Sequence, residues 1–453
     1  MVDGYLYSNK AIEIMEGNHG RITLITRGSE LGGRAEKYMI NETAEEIISY
    51  IGKNVTLSEM VKELAEKYNE ETSVVQEYVF GFFEDLETNY GMKIRLSDNY
   101  SAQEAIKVYN EKKIYPLGVM IELTSNCNLK CIHCYGGFEK CNLFMPYELV
   151  TKLIDQLEEM GIESVELTGG EITTHPHLYD IVRYLLNSRI TRISLLTNGL
   201  LLSEEILSLI EQYPNRIIIQ VDLHGLTDEY LNWFMGTTNY VERNKEIIKR
   251  VSEVAQLFRV ATIVTRRNLN QIEDIADWLY ANNVRHYGVS LVIPEGRAIE
   301  CNEKDLFLNE SELKEFDSIL DRIDAKYPSF ISVIDSYQDK SNCGCVSNCF
   351  SIAADGKIKM CAMDGGDTLA VSLGNVFRDN VRDVFDANQK FVEELSHVPA
   401  PTVDMECCKN CENIGYCSRC LLRAFTINSK SEYFCEWAEN LPEQVKKYIK
   451  KSK

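Results

Sequence analysis

The rhythm of apolar positions changes twice along the chain. Residues 1–100 open with two short strand-like runs, 21–26 and 36–40, joined through Gly32-Gly33. Three segments of helical period follow. Asn41 is placed to cap the first, which carries Ile47, Ile48 and Ile51. Thr56 and Glu59 have capping-box spacing ahead of Val61, Leu64 and Tyr68. The third holds Val75, Tyr78, Val79, Phe82, Phe83 and Leu86 at three- and four-residue steps. Two strands and three helices in this order predict a small winged-helix domain, followed by a linker at 101–117. From residue 118 apolar runs at 119–124, 164–168, 192–197, 217–223, 258–265 and 287–293 alternate with amphipathic segments at 147–160, 178–186, 204–212, 240–253 and 271–281. Six βα units in succession predict an α/β fold: a parallel sheet curled into a partial (β/α)6 barrel over residues 118–310, with its chemistry at the C-terminal strand ends. A helix at 311–327 opens a bridging region, 311–340. Regular periodicity then fades through 341–453.

Composition narrows the class. The 453 residues are 45% apolar and 26% charged, values of folded globular protein rather than of a disordered or fibrous chain. No run approaches the ~18 apolar residues of a membrane helix, and Met1-Val2-Asp3-Gly4 has neither the basic nor the apolar region of a targeting signal, so a cytoplasmic protein with no membrane partner is expected. Lys and Arg number 48 against 69 Asp and Glu, a formal charge of −21, which repels a phosphate backbone. Residues 1–100 alone carry 18 acidic and 10 basic side chains, so the winged helix lacks the footprint of a DNA reader and nucleic acid is not an expected partner. What remains there is a sheet edge beside a helix, a surface that can capture an extended peptide by strand addition; a dimerisation or lid role is the plainer alternative.

The 15 cysteines change the picture most. Three lie between Cys127 and Cys134, ten between Cys343 and Cys435, and only Cys141 and Cys301 stand apart. Thiols crowded in this way in a reducing compartment point to metal. Cys127, Cys131 and Cys134 form CxxxCxxC in the loop after the first barrel strand. Three thiolates on one loop can hold three irons of a [4Fe–4S] cube and leave the fourth open to a small molecule; a zinc site is the alternative. The motif resembles that of the radical S-adenosylmethionine enzymes, CxxxCxΦC with His133 at Φ. The resemblance implies that the three cysteines ligate a [4Fe–4S] cluster that binds S-adenosylmethionine, with His133 near the adenine. Gly169-Gly170-Glu171 matches the family's GGE motif for the methionyl amine. Thr197-Asn198-Gly199 ends the third strand in the family manner. Asp222 stands where many relatives place a ribose-contacting Ser, and His224 where they often carry Asp. Pro294-Glu295-Gly296-Arg297 after the sixth strand also fits. No catalytic acid or base is marked, since Asp222, His224 and Glu295 are candidates by position alone.

In the last third, Cys343, Cys345 and Cys349 precede Asp355-Gly356, and Cys361 follows, so a hairpin is expected to bring them together. Cys408, Cys411, Cys417 and Cys420 follow, then Cys435. Ten thiols suffice for two further [4Fe–4S] clusters, and paired zinc knuckles are the rival. This region resembles the SPASM domain. The resemblance implies a nearer auxiliary cluster on Cys343, Cys361 and Cys420, with Cys349 or Cys345 as fourth ligand, and a distal one on Cys408, Cys411, Cys417 and Cys435, with Cys407 an alternative to Cys408. Cys417-Ser418-Arg419-Cys420 has two intervening residues where the family has three, as in the thioether-forming enzyme of subtilosin, whose look is shared at 372–377 and 434–438.

Taken together the chain resembles the radical SAM/SPASM peptide maturases of the thioether-forming, sactisynthase type, with an N-terminal PqqD-like peptide-recognition domain. That implies an oxidoreductase that joins a cysteine thiol to an α- or β-carbon of another residue after hydrogen abstraction by a 5′-deoxyadenosyl radical. The implied partners are a precursor peptide, its leader held by the first domain, and an external flavodoxin- or ferredoxin-like electron donor. Carbon–carbon cross-linking or epimerisation of such a peptide, sulfatase maturation and an iron–sulfur DNA-binding regulator are the alternatives.

Overall fold

The protein is described from a computed structural model, which covers residues 3–16, 22–28, 35–100, 113–136, 142–333, 343–364 and 372–449. Cys141, Gly32-Gly33 and most of the expected linker lie outside the described residues. The chain divides into two compact units, Met1–Tyr115 and Pro116–Lys453.

In the first unit the strands are β1 (Tyr5–Ser8), β2 (Lys10–Glu16), β3 (Ile22–Gly28), β4 (Ala35–Ile40) and β5 (Ile94–Ser97). β2, β3 and β4 form an antiparallel meander, while β1 pairs antiparallel with β5. β1, β2 and β5 were not expected from the pattern. The β1–β5 pair joins two four-residue strands from opposite ends of the unit, and nothing local specifies such a contact. Helices span Glu42–Ile48, Leu57–Tyr68 and Thr72–Tyr90. Asn41 Oδ1 accepts from Ala44 N at 2.8 Å, and the Thr56–Glu59 capping box closes in both directions; caps of this kind contribute about 1 kcal/mol each. Gly91, at φ 59°, ends the third helix in the left-handed region. Leu6, Ile12, Leu24, Ile48, Met60 and Leu86 meet in one core.

The second unit is built on one sheet. Its strands are β6 (Gly118–Thr124), β7 (Ser164–Gly169), β8 (Arg192–Thr197), β9 (Ile217–Asp222), β10 (Leu257–Val264), β11 (His286–Leu291), β12 (Ile331–Val333), β13 (Cys349–Ile352), β14 (Lys357–Lys359) and β15 (Gly374–Asn375). The order is β12-β11-β10-β9-β8-β7-β6-β13-β14-β15, parallel from β12 to β13 and antiparallel thereafter. The six expected strands form the middle of this partial barrel. β12 extends it on one side, and β13 continues it into the cysteine-rich region on the other. The expected hairpin is β13–β14, turned at Gly356 with φ 84°.

Strand alternation sorts the side chains. Val119, Ile121, Val165, Leu167, Ile219 and Val221 are fully buried, whereas Glu166, Gln220, Asp222 and Arg259 occupy the alternate face, inside the curl, and are half-buried. The covering helices include Tyr147–Met160, Leu178–Asn187 and Glu204–Gln212, near the expected limits, and Asp228–Met235, which the pattern did not show. No helix of the described residues is long and apolar enough to cross a membrane.

Candidate active site

The CxxxCxxC loop leaves β6 and is held at both ends. Thr124 Oγ1 donates to Leu143 O at 2.7 Å and accepts from Asn126 N at 2.9 Å. Gly170 N and Glu171 N then donate to Thr124 O and Asn126 O, both at 2.8 Å. A Cβ at Gly169, φ +127°, would fall 2.3 Å from Thr124 O, and one at Gly170 2.2 Å from Asn126 O. The paired glycines therefore let the loop after β7 lie directly on the start of the cysteine loop. Farther on, Lys130 N and Ile132 N donate to Met235 O and Phe234 O, carbonyls left free at the C-terminus of Asp228–Met235. Arg297 N donates to Cys134 O at 3.0 Å, and Gly296, φ 56°, passes so close to Tyr135 O that a Cβ would be 2.3 Å away.

Glu171 is a buried hub. Its carboxylate accepts from Thr173 N, Thr173 Oγ1, Thr197 Oγ1 and Asn198 N at 2.5–3.0 Å. Asn198 is tied in turn to the cysteine loop through its Nδ2, which donates to Asn128 Oδ1 at 2.7 Å, and its carbonyl accepts from Tyr240 Oη and Asn244 Nδ2. The GGE and TNG segments thus form one scaffold behind the three cysteines. Tyr240 and Asn244 belong to it although no motif in the sequence marks them.

His133 stacks on Phe234, centroids 4.1 Å apart and planes 4° from parallel, and meets His224 edge-on. Its Nδ1 is buried with no hydrogen-bond partner among the described residues. His224 Nδ1 accepts from Ile263 N at 3.1 Å, which fixes the ring proton on Nε2; burial pushes its pKa down to about 3, so it stays neutral. Asp222 Oδ2 lies 3.9 Å from that Nε2, too far for a hydrogen bond. Burial, with the charge of Glu171 adding, raises the Asp222 carboxyl to about 7, although its side chain is one-third exposed. Glu295 accepts a short hydrogen bond from Tyr416 Oη of the cysteine-rich region.

The donor set fits an iron–sulfur group. Burial pushes the Cys127 thiol up to about 11 and Cys131 well above its ordinary value, so these sulfurs become ligating thiolates only beside a cation. Leu129 N already points at Cys127 Sγ, 3.5 Å away. In the last third Cys345 has Cys343, Cys361 and Cys420 as electrostatic neighbours, while Cys349 has Glu166 and Cys343. Cys407, Cys408, Cys411, Cys417 and Cys435 line one small cavity of about 40 Å³. There the buried Asn428 donates to Cys435 Sγ and accepts from Cys435 N. Among the described residues, no three Cys, His, Asp or Glu side chains stand close enough to share a single metal ion.

Residues 121–279 match the radical SAM superfamily. The chain is 27% identical over 408 residues to the antilisterial bacteriocin subtilosin biosynthesis protein AlbA of Bacillus subtilis, covering 88% of each. It is 23% identical over 310 residues to the sporulation killing factor maturation protein SkfB of the same species, covering 66% of this chain and 69% of that one. Among solved structures, Streptococcus suis SuiB bound to the precursor peptide SuiA superimposes with a TM-score of 0.60 at 15% identity, covering 94% of this chain and 98% of that one, a likeness of fold.

Proposed function

Because the chain is a radical SAM enzyme of the AlbA-like peptide-maturase type, we propose that it installs thioether cross-links in a ribosomally made precursor peptide, joining a cysteine thiol to an α- or β-carbon of another residue. The observation that carries this reading is the pairing of a CxxxCxxC loop at the barrel mouth with a second, five-thiol cavity in the last third, in a chain similar to the subtilosin protein over 88% of its length.

In this reading Cys127, Cys131 and Cys134 hold a [4Fe–4S] cluster. Cys343, Cys361, Cys420 and Cys345 or Cys349 hold a nearer auxiliary cluster, and Cys408, Cys411, Cys417 and Cys435 a distal one. When bound, the first cluster and S-adenosylmethionine, fed by an external one-electron donor, supply a 5′-deoxyadenosyl radical that removes hydrogen from an unactivated carbon. The chain's residues supply the rest. Glu171 and Asn198 hold the cysteine loop against the strand ends. His133, packed against both Phe234 and His224, offers its unpaired Nδ1 to the bound nucleoside. The interior face of the barrel, with Glu166, Gln220 and Arg259, takes the peptide and excludes water. Thioether formation also releases the thiol proton. His224 is buried and neutral with Nδ1 already bonded, and Glu295 is engaged by Tyr416, so of these three strand-end groups Asp222 is the one left to accept it.

The first unit would hold the leader. Between its helices and β4 is a cavity of about 600 Å³ lined by Ile40, Ala44, Ile47, Leu64, Val79 and Phe82, beside an exposed Tyr78. An apolar groove next to an edge strand suits an extended peptide, and capture there raises the effective concentration of the core segment at the barrel. Replacing Cys127, Cys131 and Cys134 together by Ala should abolish 5′-deoxyadenosine formation from S-adenosylmethionine, assayed by chromatography. Undiminished production would remove the barrel site from the account.

A further inference from the structure

Glu122 and Lys359 are an ion pair buried inside the second unit. Lys359 Nζ lies 2.5 Å from Glu122 Oε1, and their side chains are 8% and 5% exposed. They are 237 residues apart in the chain, one on β6 and the other on β14. Two charges so deeply buried rarely stabilise a fold over an apolar pair of the same volume, because the cost of desolvation offsets their attraction. The site chemistry gives them another use.

The ammonium also donates to Ala362 O at 3.2 Å, the carbonyl of the residue after Cys361. On the other side, Tyr135, which follows Cys134, has Glu122, Cys134 and Cys361 among its electrostatic neighbours. The ammonium is therefore bonded to the loop that follows Cys361, and Tyr135 joins its partner Glu122 to the first cysteine loop. In this low-dielectric setting a fixed charge acts over several ångströms, and the ease of reduction of an iron–sulfur group depends on nearby charge and hydrogen bonding.

We propose that the buried Lys359 ammonium, oriented by Glu122, raises the reduction potential of the auxiliary cluster held by Cys361, so that this site takes up the electron released in cross-linking. The electron balance requires such an acceptor. The substrate C–H gives its hydrogen atom to the deoxyadenosyl radical and the thiol gives its proton to a base. Forming the S–C bond between the resulting thiolate and carbon radical leaves one electron over, which reduces the auxiliary cluster. Lys359 and Glu122 are positioning residues in this scheme. The inference rests on the assignment of Cys361 as a cluster ligand.

The test is a redox titration of the reconstituted full-length enzyme followed by electron paramagnetic resonance. The signal lost in Cys361→Ala marks the auxiliary site, and the one lost in Cys127→Ala marks the first site. Lys359→Met should move the auxiliary midpoint to more negative potential, and Glu122→Gln, which leaves the ammonium uncompensated, should move it the other way. The first-site midpoint should stay in place in both. The double variant Glu122→Leu/Lys359→Met keeps the volume apolar and should fold and bind iron with the lowered midpoint. Auxiliary midpoints that do not move, or that shift the same way in both single variants, would overturn the proposal. A Cys361→Ala protein that keeps every signal would instead overturn the ligand assignment, and the proposal with it.

Discussion

At the scale of single residues, the site depends on backbones that touch. Gly296 sits at φ 56° with its missing Cβ 2.3 Å from Tyr135 O, and its neighbour Arg297 holds Cys134 O. Ala at this position must move the cysteine loop, at a cost of roughly 2–4 kcal/mol. Gly296→Ala should lower the iron bound at the first site together with the melting temperature, measured by iron assay and calorimetry. His224 carries a pH dependence of definite sign. Its folded pKa of about 3 lies below the ordinary value of 6.5, so between these values the unfolded chain binds the extra proton. The stability this buried neutral ring permits is complete above about pH 6.5 and is lost as pH falls toward 3, by up to about 4 kcal/mol. His224→Gln removes the titration and keeps an acceptor for Ile263 N. Between pH 6.5 and 4 the urea midpoint of the wild type should therefore fall more steeply than that of the variant.

At the scale of elements, strands and caps were legible where the information is local. Alternating buried positions placed β8 at its observed limits, and Asn41 and Thr56 announced their helices. Helix Asp228–Met235 leaves little periodicity in the sequence because it is only eight residues long and follows a loop, yet Thr227 caps it by accepting from Tyr230 N. That Thr-Asp-Glu start after a strand was the available signal. The pairs that lock elements together were not legible. Arg216, before β9, donates to the carbonyls of Leu185, Leu186, Ser188 and Ile190 and so closes the C-terminus of Leu178–Asn187. Nothing around Arg216 in sequence points to that helix. Arg216→Met leaves four carbonyls short of a charged donor and should cost about 2–3 kcal/mol, read as a drop in the thermal midpoint.

At the scale of the whole molecule, the order of parts was visible because each has its own period: helical in the first unit, βα in the barrel, cysteine spacing in the last third. The continuity of the last two was not visible. β13 pairs with β6, so the hairpin leading to Cys361 grows out of the barrel sheet itself, and the Glu122–Lys359 and Glu295–Tyr416 contacts tie the two regions where their chemistry meets. Such contacts depend on tertiary closure over more than a hundred residues, which local pattern cannot encode. The most direct measurement of the central claim is the mass of a cysteine-containing peptide encoded beside this chain's gene, co-expressed with the enzyme anaerobically and then alkylated. Loss of two hydrogens per link, with the linked thiols resistant to alkylation and fragmentation placing each S–C bond, is the predicted result. A peptide processed equally well after its cysteines are replaced, or one unchanged in mass with all thiols free, would contradict thioether formation.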